Sequence, residues 1–528
     1  MKKLKAAIIL DSLKIAEWQK LALEEASDLL DIKIILNCKN TNIPKKIIKN
    51  SLYYSLNLLT LRNKLSKKSN YKLSTEEILN FKSNLISSRQ CIPTEISNKI
   101  VESNIDVIIK FGMSFIKIDD SLKNIPILSF HHGDPSKYRG RPAGFYELLG
   151  NADKSGIIVQ RITNQLDVGH VLAFAESKLT HYSYKRTSEN FYKQSQFLLR
   201  KALLNLKKNN LLEMKTNGKD YHLPSNSTVL KFSTLLFKKR VDNIIYGTFF
   251  EKRWKVGTLN FNLDLRGDNI INASSISDIP IKDNYNFYAD PFFSLDGSKI
   301  RLEALGNKSG LGDIIEIDVE DNDKHKVLLT GKHYSYPFSF LLNGEEQLLP
   351  EVASHSSQKF FNLSDKKKNL IFIKKLEDKR ILDATLFFHD NVWYLFFGEL
   401  ESASSKLNLW VSDTVNGEFE EHPSSPICIS PSSARMAGRI LVTEEGIFRF
   451  GQNNNRAYGA AITISEITEL SKESYDEKIC GTVKIDDCYG PHSIDINKEK
   501  GLVLIDYYTD EFSAFAGVRR AKAKFAEK

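Results

Sequence analysis

Up to about residue 215, short runs of consecutive apolar residues alternate with stretches in which apolar residues recur every three or four positions. KAAIIL (Lys5–Leu10) is followed by the helical pattern SLKIAEWQKLALEEASDLL, then by IKIILN, and further on by DVIIKFG and ILSF. Short apolar runs bounded by turn residues are buried strands, whereas the 3.6-residue recurrence is one face of a helix. Their alternation predicts an α/β Rossmann-like domain over residues 1–215, with a mostly parallel sheet covered by helices. Asp11 or Ser12 is placed to cap the first helix. Between Thr187 and Lys208, Phe191, Leu198, Ala202 and Leu206 form a stripe with Ser195 inside it, predicting an amphipathic helix lying on the sheet.

From about residue 208 to 235, KKNNLLEMKTNGKDYHLPSNSTV loses periodicity and gains Asn, Gly, Pro and Ser, which predicts a linker or substrate loop; we bound the linker at 216–250. Beyond Arg253 the pattern becomes one of short β-type runs ending in Gly, Asn or Asp turns. YADPFFSLDGSKIRLEAL, SYPFSFLLNGEEQLLPE and DATLFFHDNVWYLFFGE each combine an aromatic pair, a polar turn and a second apolar strand. Asp290, Pro337 and Asp383 follow one another at 47 and 46 residues. Looser copies surround Arg439 and Ser493. Five such units cannot each bury a face alone, so an all-β five-bladed propeller over residues 251–520 is expected, with a β-sandwich as the plainer alternative.

The 528-residue length requires two or three domains, and 41% hydrophobic residues with 10% aromatics exclude a disordered chain. The net charge of +9, from 74 basic and 65 acidic residues, is spread along the chain with some concentration in NIPKKIIKN and RNKLSKKSNYK. Solvated lysine-rich loops explain it, as does weak attraction to the phosphates of a nucleotide-activated substrate; nucleic-acid binding is not expected. The five cysteines, Cys38, Cys91, Cys428, Cys480 and Cys488, are odd in number and never in CxxC spacing, so neither a disulfide framework nor a zinc site is expected and a cytoplasmic location fits. MKKLKAAIILDSLK has the basic start of a signal peptide. Its apolar run stops at Asp11 without a small-residue cleavage site, so it reads as a first strand. No apolar segment has the length of a membrane span.

ILSFHHGDPSKYRGRPAGF ends an apolar run with two histidines. Open α/β sheets bind ligands at the carboxyl ends of their strands, which places His131 and His132 where chemistry is done. Asp167 follows in QLDVGHVLAF, before a turn at Gly169 that can expose it toward the same edge. A carboxylate beside an imidazole raises its pKa and fixes its tautomer. Neighbouring strand residues point to opposite faces, so the two histidines are not expected to chelate one ion, and no metal is assigned. A histidine bonded to backbone at a strand edge is the plain structural alternative for His131.

SFHHGDPSKYRG and SGIIVQRITNQLDVGHVL resemble the formyltransferase family: methionyl-tRNA formyltransferase, glycinamide ribonucleotide formyltransferase and the sugar N-formyltransferases. In that family a strand ends in Asn-x-His, a loop ends in Tyr-Arg-Gly before a helix, and a Gly-initiated strand precedes a Leu-Asp-x-Gly turn. Here Ser129, His131 and Tyr138-Arg139-Gly140 stand in register, Gly156, Asp167 and Gly169 supply the rest, and KFGMSFI resembles the strand and loop that shape the folate pocket. The resemblance implies attack by a substrate amine on the formyl carbon of 10-formyltetrahydrofolate, with Phe111, Gly112, Met113, Tyr138, Arg139 and Gly140 at the cofactor. It implies that His131 stabilises the oxyanion and takes part in proton transfer, that Asp167 holds the imidazole, and that His132 contacts substrate or supports the site. Ser129 replaces the family's Asn and presents one donor where an amide presents two, and an oxyanion donor is worth about 2.7–4 kcal/mol. Three outcomes stay open: a nearby group fills the role, the reaction is a related acyl or one-carbon transfer, or the domain binds without turnover.

YADPFF, LLPEVAS, LDATLFFHDNVWYLFF, EEHPSSPI, SARMAGRI and FRFGQN resemble the five-bladed domain at the N-terminus of plant glucosamine inositolphosphorylceramide transferases, itself distantly similar to five-bladed glycoside hydrolases. By position, Asp290 and Asp383 match the acidic residues that those hydrolases bring to an axial pocket, with Glu351 as a third. Cleavage needs one acid and one base or nucleophile flanking the bond; the plain alternative for each Asp is a turn cap. Arg435, Arg439 and Gln452 suggest an anion- or sugar-binding cluster, or structural ion pairs, and His492 can face the same pocket.

The combined expectation is a cytoplasmic enzyme of surface-glycan biosynthesis. Its first domain formylates an amino sugar, carried on a nucleotide, and its propeller binds or modifies the glycan; a homo-oligomer is compatible with this. The alternatives are a glycosyltransferase or glycosidase acting through the propeller beside a degenerate binding domain, and a non-catalytic glycan-binding scaffold.

Overall fold

The computed structural model describes residues 2–40, 48–60, 62–71, 77–86, 89–164, 169–352, 359–363, 371–372 and 380–526. It divides into two compact units, Met1–Asp242 and Asn243–Lys528.

The first unit contains a seven-stranded sheet of β1 (Leu4–Leu10), β2 (Leu30–Cys38), β3 (Glu77–Phe81), β4 (Val107–Lys110), β5 (Ile127–His132), β6 (Lys154–Arg161) and β7 (His170–Lys178), in the order β7-β6-β5-β4-β1-β2-β3. The pairings from β3 across to β5 are parallel. Strands β6 and β7 run antiparallel. One face of the sheet buries Ala7, Ile9, Ile34, Leu36, Ile108 and Ile127 against Ile96 and Ile100 of helix α1 (Thr94–Glu102). The helix α2 (Tyr184–Lys207) packs on β6 and β7 and against the helix Glu17–Glu25. Phe191, Ser195, Leu198 and Ala202 of the predicted stripe are buried, while Leu206 is half-buried at the fraying end. Ser183 Oγ caps α2 by accepting from Arg186 N.

Two local expectations are corrected. Neither Asp11 nor Ser12 caps the first helix: the strand Lys14–Ala16 intervenes, Ala16 takes the N-cap position, and Gln19 Oε1 accepts from Ala16 N at 2.9 Å. Asp11 instead accepts from Met113 N at 2.7 Å, fixing the turn after β4. The interval bounded as a linker contains a 24-residue helix, α3 (Asn226–Phe249). Phe232 anchors it, stacking on Phe145 at 4.2 Å and meeting Tyr184 edge-on at 5.4 Å. Its apolar residues lie on two opposed sides, which cancels the one-sided recurrence by which a helix is read from sequence. Among the described residues no helix is long and apolar enough to cross a membrane.

The second unit is built from five sheets, none closing on itself among the described residues. Their leading pairs of strands are Tyr285–Phe293 with Lys299–Gly306, Tyr334–Leu342 with Glu345–Val352, Ile381–His389 with Val392–Glu399, Arg435–Met436 with Gly446–Asn453, and Ile494–Asn497 with Leu502–Phe512. The first strand of each pair is an edge strand, and the first four of these edges, with Ile494–Asn497 against Tyr285–Phe293, pack side by side. Ile494 N also donates to Ala437 O at 2.7 Å, beside the fourth edge. The two ends of the unit meet in the fifth sheet, where all 11 residues of Phe250–Asn260 pair antiparallel with Leu502–Phe512. Apolar residues cluster between neighbouring sheets: Val256 and Leu504 join Tyr288, Leu302 and Ile315, and Ile494 and Ile505 join Phe448, Ile462 and Val483.

Candidate functional site

Strand β5 decides which histidine faces what. Successive side chains along a strand alternate between faces, so Phe130 and His132 leave one side and Ser129 and His131 the other. His132 enters an aromatic box: its ring lies 5.4 Å from Trp18, 5.6 Å from Tyr192 and 6.1 Å from Phe191, all edge-on. Its Nε2 shares a 2.9 Å hydrogen bond with Ser195 Oγ on α2. Burial, aided by His131, pushes its pKa down to about 3, so the imidazole is neutral at physiological pH. It is a packing residue.

His131 stays at the carboxyl edge, with Nε2 at 3.4 Å from Tyr138 O. Ser129, on its face, is buried and aligns in the parallel ladder with Lys110 of β4, which aligns on its other side with Ile9 of β1. Lys110 thus shares the face of Ser129 and His131. Burial pulls its ammonium down to about 8, against the opposing pull of Asp11. Sequence reading missed Lys110, although a lysine closing the apolar run DVIIK is the kind of signal that marks a strand end. Asp167 lies outside the described residues.

The residues assigned to the cofactor have mixed surroundings. Phe111 stacks on Phe130 and meets Trp18 edge-on, Met113 is buried in the core with a φ of 56°, and a Cβ at Gly112 would sit 2.6 Å from Asp11 N. Tyr138-Arg139-Gly140 forms a short parallel ribbon with Lys219–Tyr221. Tyr138 stacks on Tyr221, and Arg139 Nη1 donates to Thr216 O at 3.1 Å. At Gly140, φ is 83° and a Cβ would strike Tyr221 O at 2.1 Å, so only glycine fits.

In the second unit the edge strands of the first three sheets share a device. Asp290, Tyr336 and Asp383 adopt φ of 49°, 45° and 50° at points where the ladder shifts register. The repeat therefore aligns Tyr336, not Pro337, with the two aspartates. Positive φ is costly for such residues, and each bulged N–H finds a carboxylate: Asp290 N donates to Asp506 Oδ2 at 3.0 Å, Tyr336 N to Asp290 Oδ2 at 3.2 Å, and Asp383 N to Glu351 Oε2 at 3.1 Å. Asp290, Glu351, Asp383 and His492 are thereby gathered into one group, joined by Glu303, Asp506 and Tyr458.

Asp506 also accepts from His492 N and Ser493 N, and its Oδ2 lies 3.1 Å from His492 Nδ1. Asp290, His492 and Asp506 bring ligand-type atoms within 4.8 Å of one another; here the imidazole and the backbone N–H groups of Asp290, Tyr336, His492 and Ser493 already engage the carboxylate oxygens. Burial pushes His492 down, and the carboxylates of Asp506 and Asp290 more than reverse it, leaving its pKa raised. Its Nε2 meets Tyr458 OH at 2.9 Å, and its ring lies 5.0 Å from Trp254. Arg435 pairs with both oxygens of Asp383 and lies over the Tyr458 ring. Burial, reinforced by Asp383, pushes Glu351 up to about 8; burial raises Asp290 to about 6 against the pull of His492; Glu303 stands well above the carboxylate range, from burial and then from Asp290. The group can thus hold a proton on a carboxyl at neutral pH beside carboxylates fixed by cations.

Arg439 stands apart: it pairs with Asp495 at 2.8 Å, donates to Ser339 Oγ, and borders a cavity of about 530 Å³ walled by Phe338, Phe340, Phe387 and Trp393. Gln452 Nε2 donates to Met436 O and is fully buried. Glu303 and Asp506 were missed by sequence reading. Glu303 and Glu351 both lie on the second strand of their sheets, opposite the residue before the bulge, Ala289 and Ser335 respectively. That shared repeat position was the available signal.

Residues 267–489 match the family described as "Glucosamine inositolphosphorylceramide transferase 1, N-terminal". Curated relatives include glucosamine inositolphosphorylceramide transferase 1 of Oryza sativa subsp. japonica and of Arabidopsis thaliana, each 28% identical over 205 residues, or 36% of this chain. This stretch is similar to part of those proteins. The chain spans only 28% of the rice protein and 27% of the Arabidopsis protein. Among solved structures, glycinamide ribonucleotide transformylase 1 from Symbiobacterium toebii is 11% identical, with 40% of this chain and 92% of that one covered at a TM-score of 0.29. A 4-N formyltransferase from Francisella tularensis is 10% identical, with 41% and 76% covered at 0.27. Superpositions this loose carry no weight for activity.

Proposed function

We propose that this chain is a cytoplasmic enzyme of glycan assembly whose first unit transfers a formyl group to the amine of a nucleotide-linked amino sugar and whose second unit, a five-bladed propeller, holds the carbohydrate. The observation that carries the reading is the alternation along β5: it keeps His131 and Ser129 at the carboxyl edge on the face of Lys110 and turns His132 into the aromatic box on the other. An imidazole, a hydroxyl and an ammonium form a donor set that fits a formyl oxygen, and 10-formyltetrahydrofolate supplies the formyl carbon when bound. His131 would accept the proton that the sugar amine loses as its nitrogen bonds to that carbon, and would return it to the folate nitrogen that departs as the old carbon–nitrogen bond breaks. Asp167 is the carboxylate assigned to orient the imidazole. Lys110 supplies a charged donor where Ser129 offers less than the family's Asn. All five cysteines are free thiols, which supports a reducing compartment.

Five sheets with edge strands side by side, shared apolar clusters and paired ends support the propeller reading. The matched relatives bear the name of a glucosamine inositolphosphorylceramide transferase, which supports an amino-sugar ligand. The test is mass spectrometry of amino-sugar nucleotides incubated with the chain and 10-formyltetrahydrofolate. A gain of one carbonyl unit that is lost in His131→Ala and Asp167→Ala is expected. No gain with the parent protein, or near wild-type turnover in either variant, rejects the assignment.

A second reading places sugar transfer or glycoside cleavage in the propeller, because a protonated Glu351 beside Asp290 and Asp383 offers the acid and carboxylate such chemistry needs. Sugar release or transfer by the parent protein, abolished in Asp290→Asn and Asp383→Asn, would favour it; absence of such chemistry in the parent would reject it.

A further inference from the structure

The cavity of about 530 Å³ that Arg439 borders lies between the tips of two neighbouring hairpins, and every residue lining it belongs to the second unit. Both hairpins close through two-residue turns at positive φ, Asn343-Gly344 at 53° and 82° and Asp390-Asn391 at 48° and 61°, a tight geometry that matches the twist of the strands it joins. The wall is aromatic. Phe340 meets Trp393 edge-on at 5.6 Å, Phe388 lies 4.9 Å from Trp393, and Phe338 and Phe387 complete it. Phe388 and Leu341, 51% and 57% exposed, form the rim. On the side of Ser339 and Arg439 the lining is polar, and most of its hydrogen-bonding capacity is used. Ser339 Oγ accepts from Arg301 Nη1 at 3.2 Å and Arg439 Nη2 at 2.8 Å and donates to Glu346 Oε1 at 2.9 Å, which exhausts a hydroxyl. Arg439 commits three of its five N–H groups, to Asp495, Ser339 and Phe293 O; its Nε–H and one Nη1–H have no partner among the described residues.

We propose that this cavity binds a small uncharged molecule built on an aromatic ring that carries a hydrogen-bond acceptor such as a carboxamide. Its volume and its mainly apolar lining with a few placed polar groups are those of small-molecule sites. Charge decides against an ion. Arg439 is already paired with Asp495, and Arg301 with Glu346 and Glu316, so an anion would meet carboxylates in place and a cation would meet guanidinium groups. A neutral acceptor takes the two open N–H groups of Arg439 and disturbs neither set of pairs. The aromatic wall favours a ring over an aliphatic group of the same size, because ring edges and faces attract one another beyond the area they bury. Along the strand Tyr334–Leu342, Tyr336 belongs to the acid group, whereas Ser339 to Leu342 line the cavity. The two places are distinct, so the inference stands independently of the proposed reactions.

The test is a ligand-observed NMR titration of the full chain with benzamide, compared with benzoate, which adds a charge, and cyclohexanecarboxamide, which removes the aromatic ring. Saturable binding of benzamide in the millimolar range is expected for so small a ligand, with benzoate weaker by about tenfold or more and cyclohexanecarboxamide weaker by several-fold. Ile440→Trp, which fills the cavity beside Arg439, should abolish benzamide binding. Phe388→Ala should weaken it several-fold with the unfolding midpoint unchanged, since that ring is half exposed, and it keeps the test decisive if Ile440→Trp misfolds. A wild-type chain that shows no saturable binding of benzamide overturns the proposal. So does undiminished binding in either folded variant, or benzoate or cyclohexanecarboxamide bound as tightly as benzamide.

Discussion

Replacing Asp506 with alanine removes the acceptor for three backbone N–H groups, those of Asp290 at 3.0 Å, His492 at 2.9 Å and Ser493 at 2.7 Å, and the partner of His492 Nδ1. The carboxylate is fully buried, so water does not take its place at the surface. Each buried donor left unpaired costs about 1–3 kcal/mol, and removing one member of a buried charge pair costs about 3–5 kcal/mol. These contributions overlap at His492, so two unpaired donors and the broken pair give an expected loss of about 5 kcal/mol or more. For a domain of a few hundred residues this lowers the unfolding midpoint by about 10 °C or more. Asp506→Asn keeps the shape and one carbonyl acceptor and should lose roughly half as much. The assay is urea and thermal unfolding of the full chain followed by tryptophan fluorescence, with Trp254 beside His492 as the local reporter. The pH dependence adds a signed check. A histidine whose folded pKa is raised contributes stability that is present below its unfolded value of about 6.5 and fades as pH rises through the folded value. That fading should be reduced in Asp506→Asn. A loss below about 1 kcal/mol for the alanine variant would refute the view that this carboxylate holds the bulged strand and the imidazole in place.

Three further outcomes follow from the same geometry. Glu351, with a folded pKa of about 8 against its usual 4.5, keeps a proton that the unfolded chain releases, so stability falls as pH rises between those values; Glu351→Gln should match wild type in acid and exceed it above pH 8 in thermal unfolding, and parallel pH profiles would contradict this. His132→Phe keeps a ring in the Trp18 box and loses only the bond to Ser195, so a cost of about 1 kcal/mol with formyl transfer retained is expected, while NMR of the wild type should show no titration of His132 in the physiological range. Lys110→Met should leave the unfolding midpoint unchanged or raised, because a buried ammonium is costly, yet lower transfer about a hundredfold; it should also abolish a fall in wild-type rate above about pH 8, where this lysine loses its proton.

Much of the first unit was readable from its apolar runs, because a strand buried on both faces admits little but Ile, Val, Leu and Ala, and the buried stretches Ala6–Leu10 of β1, Ile34–Leu36 of β2 and Val107–Ile109 of β4 contain nothing else. The assignment of His131 and His132 to opposite faces was also readable, since it follows from the two-residue period of a strand. Which of the two was enclosed was not: Trp18, Phe191 and Tyr192 come from segments far away in sequence and converge only through helix packing. The same limit explains α3, whose opposed stripes erased the period that reveals most helices. In the repeat half, the spacing of Asp290 and Asp383 was visible, and the pairs Asp290-Pro291 and Tyr336-Pro337 mark Tyr336 as their counterpart, whereas the positive-φ bulge that the three residues share exists only in the paired ladder.

Local rules, then, were enough for the identity of most strands, the phase of side chains along them, and the repeat of hairpins, because those depend on neighbours a few residues apart. The acid cluster and the aromatic box needed the folded chain. Asp506 meets Asp290 from 216 residues away and Arg435 meets Asp383 from 52, and the protonation of Glu351 or His132 depends on how much water such distant neighbours exclude. Burial and long-range charge are sums over whatever the fold brings near, and no short window of sequence contains those sums.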